Sequence, residues 1–359
     1  MEKRPKLQYV IILLFILNLS PLIIGVEQVP CYFIFGASLY DNGNNNFLFT
    51  LARANFPPYG IDFPAGQTGR FSNGRNIADI TAELLGFEKS IPSFASAIGQ
   101  DILKGVNYAS GSAGIRDETG LHLGFGISLN NQLINHQNII SRIERILGDK
   151  ESASKYLRKC IYTVGMGTND YIGNYFLPQF YPTSRLFTPE QYAIVLIQQY
   201  SQQLKALYNY GARKVALFGL TPLGCTPANI AIFGTNGSPC VDFINTAVQL
   251  FNTRLISLVD QLNNNFQDAK FIYVNSYDIM SSISSGFRVT NMPCCAVGGN
   301  NAFSICIPFL VPCANRGEHL WWDATHSSEA VNVLLAGRSY SAKFPSDTYP
   351  IDIGRLARL

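Results

Sequence analysis

Short apolar runs alternate with long amphipathic stretches along this 359-residue chain, and that alternation constrains the fold more than any other feature. Strand candidates fall at 31–36 (CYFIFG), 105–110 (GVNYAS), 160–165 (CIYTVG), 214–219 (KVALFG) and 270–275 (KFIYVN). Between them, apolar residues recur at helical spacing over 76–86, 128–147, 189–210 and 240–264. The third of these helices meets Gly211, a residue suited to ending it. A last helix is expected after His326, with Ser327 as its candidate cap. Strands separated by helices pair in parallel through right-handed crossovers. The expected fold is therefore an α/β three-layer α/β/α sandwich around a mostly parallel five-stranded sheet. Such sheets carry their sites beyond the carboxyl ends of the strands.

The N-terminus is expected to be a secretory signal over residues 1–25. Lys3, Arg4 and Lys6 precede an apolar run, and the small Gly25 offers a cleavage point. That run is short for a membrane span, and no second one follows. The remainder, 26–359, reads as a single domain. Formal net charge is +3, of which the leader holds +2, so the rest is near +1. A balance this close to neutral gives no reason to expect nucleic acid or an anionic membrane as a partner. Hydrophobic residues make up 47% and charged residues 14%, which excludes a disordered chain.

Secretion decides how the eight cysteines read: as disulfides rather than zinc ligands, since paired C-x-x-C spacing is absent. Cys31 and Cys160 both begin strand candidates, so a bridge between them would staple two parallel neighbours. Cys225 and Cys240 flank one loop. Cys294, Cys295, Cys306 and Cys313 crowd another, where the adjacent pair must reach different partners. The sequon at Asn236 lies between Cys225 and Cys240 and suits a glycosylated surface loop.

Four short segments carry candidate chemistry. Ser38, in FIFGASLYDNGNNN, lies just past the first strand. It suits either a nucleophile or a helix N-cap. It is not a G-x-S-x-G elbow, because Tyr40 takes the last position. Asp323 and His326, in WWDATH, are spaced so that a carboxylate can orient an imidazole within one turn. His122, His136 and His319 lack such a neighbour and read as structural or surface residues. Gly111, in NYASGSAGI, and Asn169, in GMGTNDY, follow two further strand candidates. A glycine N–H and an asparagine amide are suitable donors for a tetrahedral oxyanion. Taken singly, each segment also fits an ordinary strand-to-helix turn.

From about Val29 to Phe344 the chain resembles the GDSL esterase/lipases of the SGNH hydrolase superfamily, in particular the secreted plant branch. The blocks FIFGASLYDNGNNN, VNYASGSAGI, GTNDY and WWDATHSSEA carry the likeness, with RFSNGR, PLGCTP and the late cysteine cluster. The resemblance implies a flavodoxin-like SGNH hydrolase fold. It also implies a Ser38–His326–Asp323 triad, and an oxyanion hole formed by Ser38, Gly111 and Asn169. It implies hydrolysis of carboxylic esters through an acyl-enzyme, with no metal and no cofactor. Expected partners are small-molecule or lipid esters, and the oligomeric state stays open. One departure matters: the family's Asp beside the nucleophile is Ala37 here. If that loss strands a buried donor, the local penalty is roughly 1–3 kcal/mol, and weakened or altered activity is expected. Acyl transfer and a non-catalytic binding role are the alternatives. A smaller departure is Ala296 after the cysteine pair. The aromatic and proline-rich stretch 171–187 suits either an acyl-binding wall or a packed loop.

Overall fold

The computed structural model describes residues 27–295 and 305–359. The expected signal, 1–25, and Ala296 lie outside the described residues. Strands β1 (Tyr32–Gly36), β2 (Ile161–Gly165), β3 (Lys214–Phe218) and β4 (Lys270–Val274) pair in parallel in that order. Their residues are buried on both faces, which is why each reads as a continuous apolar run. The pleat sends alternate side chains to opposite layers. Phe33, Phe35, Tyr162, Val164, Val215 and Leu217 join one core. Ile34, Ile161, Ala216, Phe218, Ile272 and Val274 join the other.

Helices cover both faces. α1 (Ile77–Leu84) starts at Asn76, whose side chain accepts from Asp79 N–H while Asp79 accepts from Asn76 N–H. It packs on the second core, whereas α2 (Leu129–Leu147), α3 (Pro189–Asn209) and α4 (Asp242–Asn265) pack on the first. α3 carries the same reciprocal cap, between Thr188 and Gln191, with Pro189 opening the helix. α5 (Ser276–Ser284), α6 (Glu329–Tyr340) and α7 (Ile353–Ala357) complete the second layer. The sandwich is thus the three-layer architecture expected.

Two details differ from expectation. Residues 105–110 run parallel to β1, with Tyr108 N–H donating to Ile34 C=O, but form only isolated bridges. The Gly36 N–H that would continue the ladder to Tyr108 C=O donates instead to Gln132 Oε1, so a regular ladder does not extend. The fifth strand of the sheet is instead Thr348–Tyr349, antiparallel to β4 and too short to show a period. Counting 105–110 as the flanking segment, the order is that of a flavodoxin-like sheet, reversing direction between β1 and β2. Ser38 and Asn169 follow the two strands at that reversal. The second difference is the start of α6. Its N-cap is Ser328, not Ser327, whose hydroxyl donates to Asn332 Oδ1.

Four disulfides join Cys31–Cys160, Cys225–Cys240, Cys294–Cys313 and Cys295–Cys306. The first ties the entries of β1 and β2. The last two hold a loop against the short pair Val289–Pro293 and His319–Trp321. Among the described residues no helix is long and apolar enough to cross a membrane.

Candidate active site

Ser38 sits in a turn two residues beyond β1, and no helix begins there, so it does not serve as a helix cap. Gln132 grips the turn from below: its amide donates to Gly36 C=O while its carbonyl accepts Gly36 N–H. Tyr40 lies across the ends of β1 and β2. A Cβ at Gly165 would stand 2.2 Å from its ring, so that strand end must be glycine.

Asp323 and His326 lie on the turn between His319–Trp321 and α6. Trp322 N–H donates to His326 C=O, and Asp323 Oδ1 accepts the N–H groups of Thr325 and His326, which closes the turn. His326 Nδ1 is 2.7 Å from Asp323 Oδ2, and His326 Nε2 is 2.8 Å from Ser38 Oγ. With Nδ1 donating to the carboxylate, Nε2 is left to accept the serine proton. Tyr59, fully buried, donates to Asp323 Oδ2 at 2.5 Å and accepts from Cys306 N–H. Burial alone would raise the Asp323 carboxyl. The imidazole beside it and bonds from His326, Tyr59 and Thr325 outweigh burial and hold it below the ordinary carboxylate range. The Phe71 ring lies 4.8 Å from the imidazole ring and shields it.

The hydroxyl and imidazole face a cavity of about 520 Å³. Its wall is mostly apolar, with Leu51, Phe71, Leu123, Ile172 and Trp321 among its lining, and Asn169 among its polar groups. Asn169 Nδ2 donates to Ala113 C=O at 2.9 Å, which fixes the amide plane and leaves its second hydrogen for a ligand. Gly111 is placed differently. Its N–H donates to Asp41 Oδ2 at 3.0 Å, and Ser112, not Gly111, lines the cavity. A Cβ at Gly111 would meet both Asn45 and Phe71 at 2.8 Å, so only glycine fits.

Asp41 had no role in the sequence reading. It is fully buried and also accepts from Gly43 and Asn44 N–H, which ties the Ser38 turn to the Gly111 turn. Burial raises its carboxyl to about 6 against the pull of those three N–H groups and Arg70. Asp170, next to Asn169, does the same for the opposite wall. It accepts from Ile115 N–H, Arg116 N–H and the Thr119 hydroxyl, and burial raises it to about 6. The D-x-G-N-N-N segment holds two of the Asp41 partners, but its link to Gly111, like the Asp170 links to 115–119, joins residues more than 50 positions apart and is not announced by either segment.

Other expectations resolve residue by residue. His122 does more than fill the surface: it lines the cavity, with Nδ1 3.0 Å from the Tyr181 hydroxyl. His136 is a buried core residue bonded to Tyr108. His319 packs near Met292. In the stretch 171–187, Ile172 and Gly173 reach the cavity, while Tyr171 and Tyr175 pack in the core. Asn236 is exposed at a turn. Ala37 borders a cavity of about 20 Å³ together with Ser276, whose buried hydroxyl has no partner among the described residues. Sulfur atoms of Cys294 and Cys313 approach His319 within 4.8 Å, but the disulfide between them removes both thiolates as ligands.

Comparison with known proteins places this geometry in a family. The GDSL-like lipase/acylhydrolase family model matches residues 32–338. The chain belongs to the GDSL-like lipase/acylhydrolase family. Three GDSL esterase/lipases of Arabidopsis thaliana are 55%, 55% and 53% identical to it over 337, 337 and 335 residues. Each comparison spans 92% of this chain and 92% of the relative. This GDSL protein therefore shares nearly its whole length with those relatives, the segments bearing Ser38, Gly111, Asn169, Asp323 and His326 included.

Proposed function

We propose that this chain is a secreted serine hydrolase that cleaves carboxylic esters, with Ser38 as nucleophile, His326 as general base and Asp323 as the orienting acid. The observation that carries the reading is the unbroken contact from Ser38 Oγ through His326 to Asp323, opening on an apolar cavity. His326 Nε2 takes the hydroxyl proton as Ser38 Oγ attacks the ester carbonyl. The tetrahedral oxyanion is held by Ser38 N–H and the Asn169 amide. Gly111 N–H, bonded to Asp41 and away from the cavity lining, is not one of these donors in this geometry. His326 then protonates the leaving alcohol, and water activated by the same imidazole releases the acid and regenerates Ser38. Asp323 keeps the Nδ1 proton in place and stabilises the imidazolium. No step calls for a metal or an organic cofactor.

Secretion is supported by the basic-apolar leader and by four disulfides, which persist in an oxidising compartment. The exposed Asn236 is the proposed glycosylation site. Hydrolysis is preferred over acyl transfer or a purely binding role, because the hydroxyl and imidazole are in contact and the relatives are named esterase/lipases. The test is labelling by a fluorophosphonate together with cleavage of p-nitrophenyl butyrate. Both are expected in the parent, and Ser38→Ala should abolish labelling and lower kcat by at least 10³-fold. A folded parent that neither labels nor cleaves would leave a binding role as the better reading.

A further inference from the structure

Two loops beside the cavity mouth expose an unusual amount of apolar surface. Thr50 and Gly124 form an antiparallel bridge, Leu51 N–H donates to Leu123 C=O, and Phe125 N–H donates to Phe49 C=O. The paired loops hold Phe47, Phe49, Leu51, Leu121 and Phe125, which are 89%, 86%, 69%, 52% and 67% exposed. Phe180, 59% exposed, stacks on His122 at 5.1 Å and widens the patch. Scattered apolar residues are ordinary on a protein surface; a contiguous group of six large ones is not.

We propose that this rim docks the enzyme on an uncharged lipid surface, from which ester molecules pass directly into the cavity. The proposal rests on the esterase reading and names the physical form of its substrate. Two observations choose the occupant. First, the rim is continuous with the cavity: Leu51 and Leu123 belong to both. Any partner seated on Phe49 and Leu51 also covers the mouth, so a second copy of the chain or another protein would close the site. A lipid surface is the occupant that can cover the mouth and still supply substrate. Second, residues 44–52 and 119–128 contain no Lys, Arg, Asp or Glu. Their single titratable side chain, His122, is held by burial below its usual range and is neutral at physiological pH. Binding to anionic headgroups relies on basic residues, and these two loops have none.

The experiment uses Ser38→Ala protein, so that binding is read without turnover, and flotation with dioleoylphosphatidylcholine vesicles containing triolein. The protein is expected to float with these vesicles equally at 0.15 M and 1 M NaCl (roughly 8 and 3 Å screening lengths). Adding Phe49→Ser and Phe125→Ser should cut the floating fraction at least tenfold. In the Ser38 parent, the same two substitutions should leave kcat/KM for soluble p-nitrophenyl acetate within twofold and the melting temperature unchanged. Neither side chain lines the cavity. Protein that stays in the aqueous layer, or binds equally well with the rim substitutions, would overturn the proposal. So would flotation that requires dioleoylphosphatidylglycerol, or a dimer dispersed by the rim substitutions. Loss of p-nitrophenyl acetate cleavage in the parent would instead count against the esterase reading, and the flotation result would stand separately.

Discussion

Tyr59 is the residue whose contribution is largest for its distance along the chain from the site. Its hydroxyl links the disulfide-held Cys306 N–H to the Asp323 carboxylate, so it fixes the acid from the side opposite His326. Tyr59→Phe keeps the ring and removes only that link. A lost hydrogen bond to a buried charged group costs about 1–3 kcal/mol. The expected result is a fall in kcat of about tenfold or more with KM unchanged, read from ester hydrolysis kinetics. A tenfold rise in KM at constant kcat would show that Tyr59 shapes the cavity instead. Ala37 makes the opposite prediction. Its small cavity and the partnerless Ser276 hydroxyl match a stranded donor, so Ala37→Asp should supply an acceptor and raise kcat severalfold. Unchanged turnover in a folded variant would show that position 37 is indifferent in this chain.

At the level of elements, the four parallel strands and the long helices were readable to within a residue or two, because each is an apolar run or stripe bounded by polar residues and glycine. What escaped was set by side chains remote in sequence. Gln132 takes the Gly36 N–H that would extend the pairing with 105–110, and a two-residue strand at Thr348–Tyr349 has no pattern to read. Around the site, D-x-x-H spacing and strand-end positions pointed to Asp323, His326, Ser38 and Asn169; the last three line one cavity, and Asp323 is buried behind His326. Tyr59, the cavity-facing His122 and the link from Asp41 to Gly111 could not be found that way, since in each the partner lies far along the chain. Asp170 connects the Asn169 turn to the loop 115–119, and its raised carboxyl gives a pH signature. A carboxyl with a folded-state value near 6 and an ordinary unfolded value holds its proton longer when folded. The stability that Asp170 contributes is therefore fully present below about pH 4 and is lost as pH climbs to about 6. Asp41 acts in the same direction over the same window. In urea denaturation, Asp170→Asn should reduce the fall in midpoint between pH 4 and 6.5. An unaltered slope would mean that Asp170 does not titrate there.

For the whole molecule, the bridge with the longest reach is Cys31–Cys160, which closes 129 residues of chain and joins the two strands that lead to Ser38 and Asn169. Loop-closure arguments assign such a bridge about 4–5 kcal/mol through the unfolded state. Cys31→Ser with Cys160→Ser should therefore lower the urea-extrapolated stability by several kcal/mol. Its kcat at 25 °C should stay close to the parent value, because the staple lies at the end of the sheet away from the cavity. A variant as stable as the parent would show that the buried cores alone enforce the β1–β2 pairing.

Ser38 and His326, the proposed nucleophile and base, are 288 residues apart, and the histidine comes last. A ribosome therefore releases the serine long before the histidine that arms it. The bridge beside Tyr59, which steadies the acid, closes only once the chain meets an oxidant. Until that last segment is made and the bridge is closed, the chain holds a hydroxyl without its imidazole partner and an acid without its outer support.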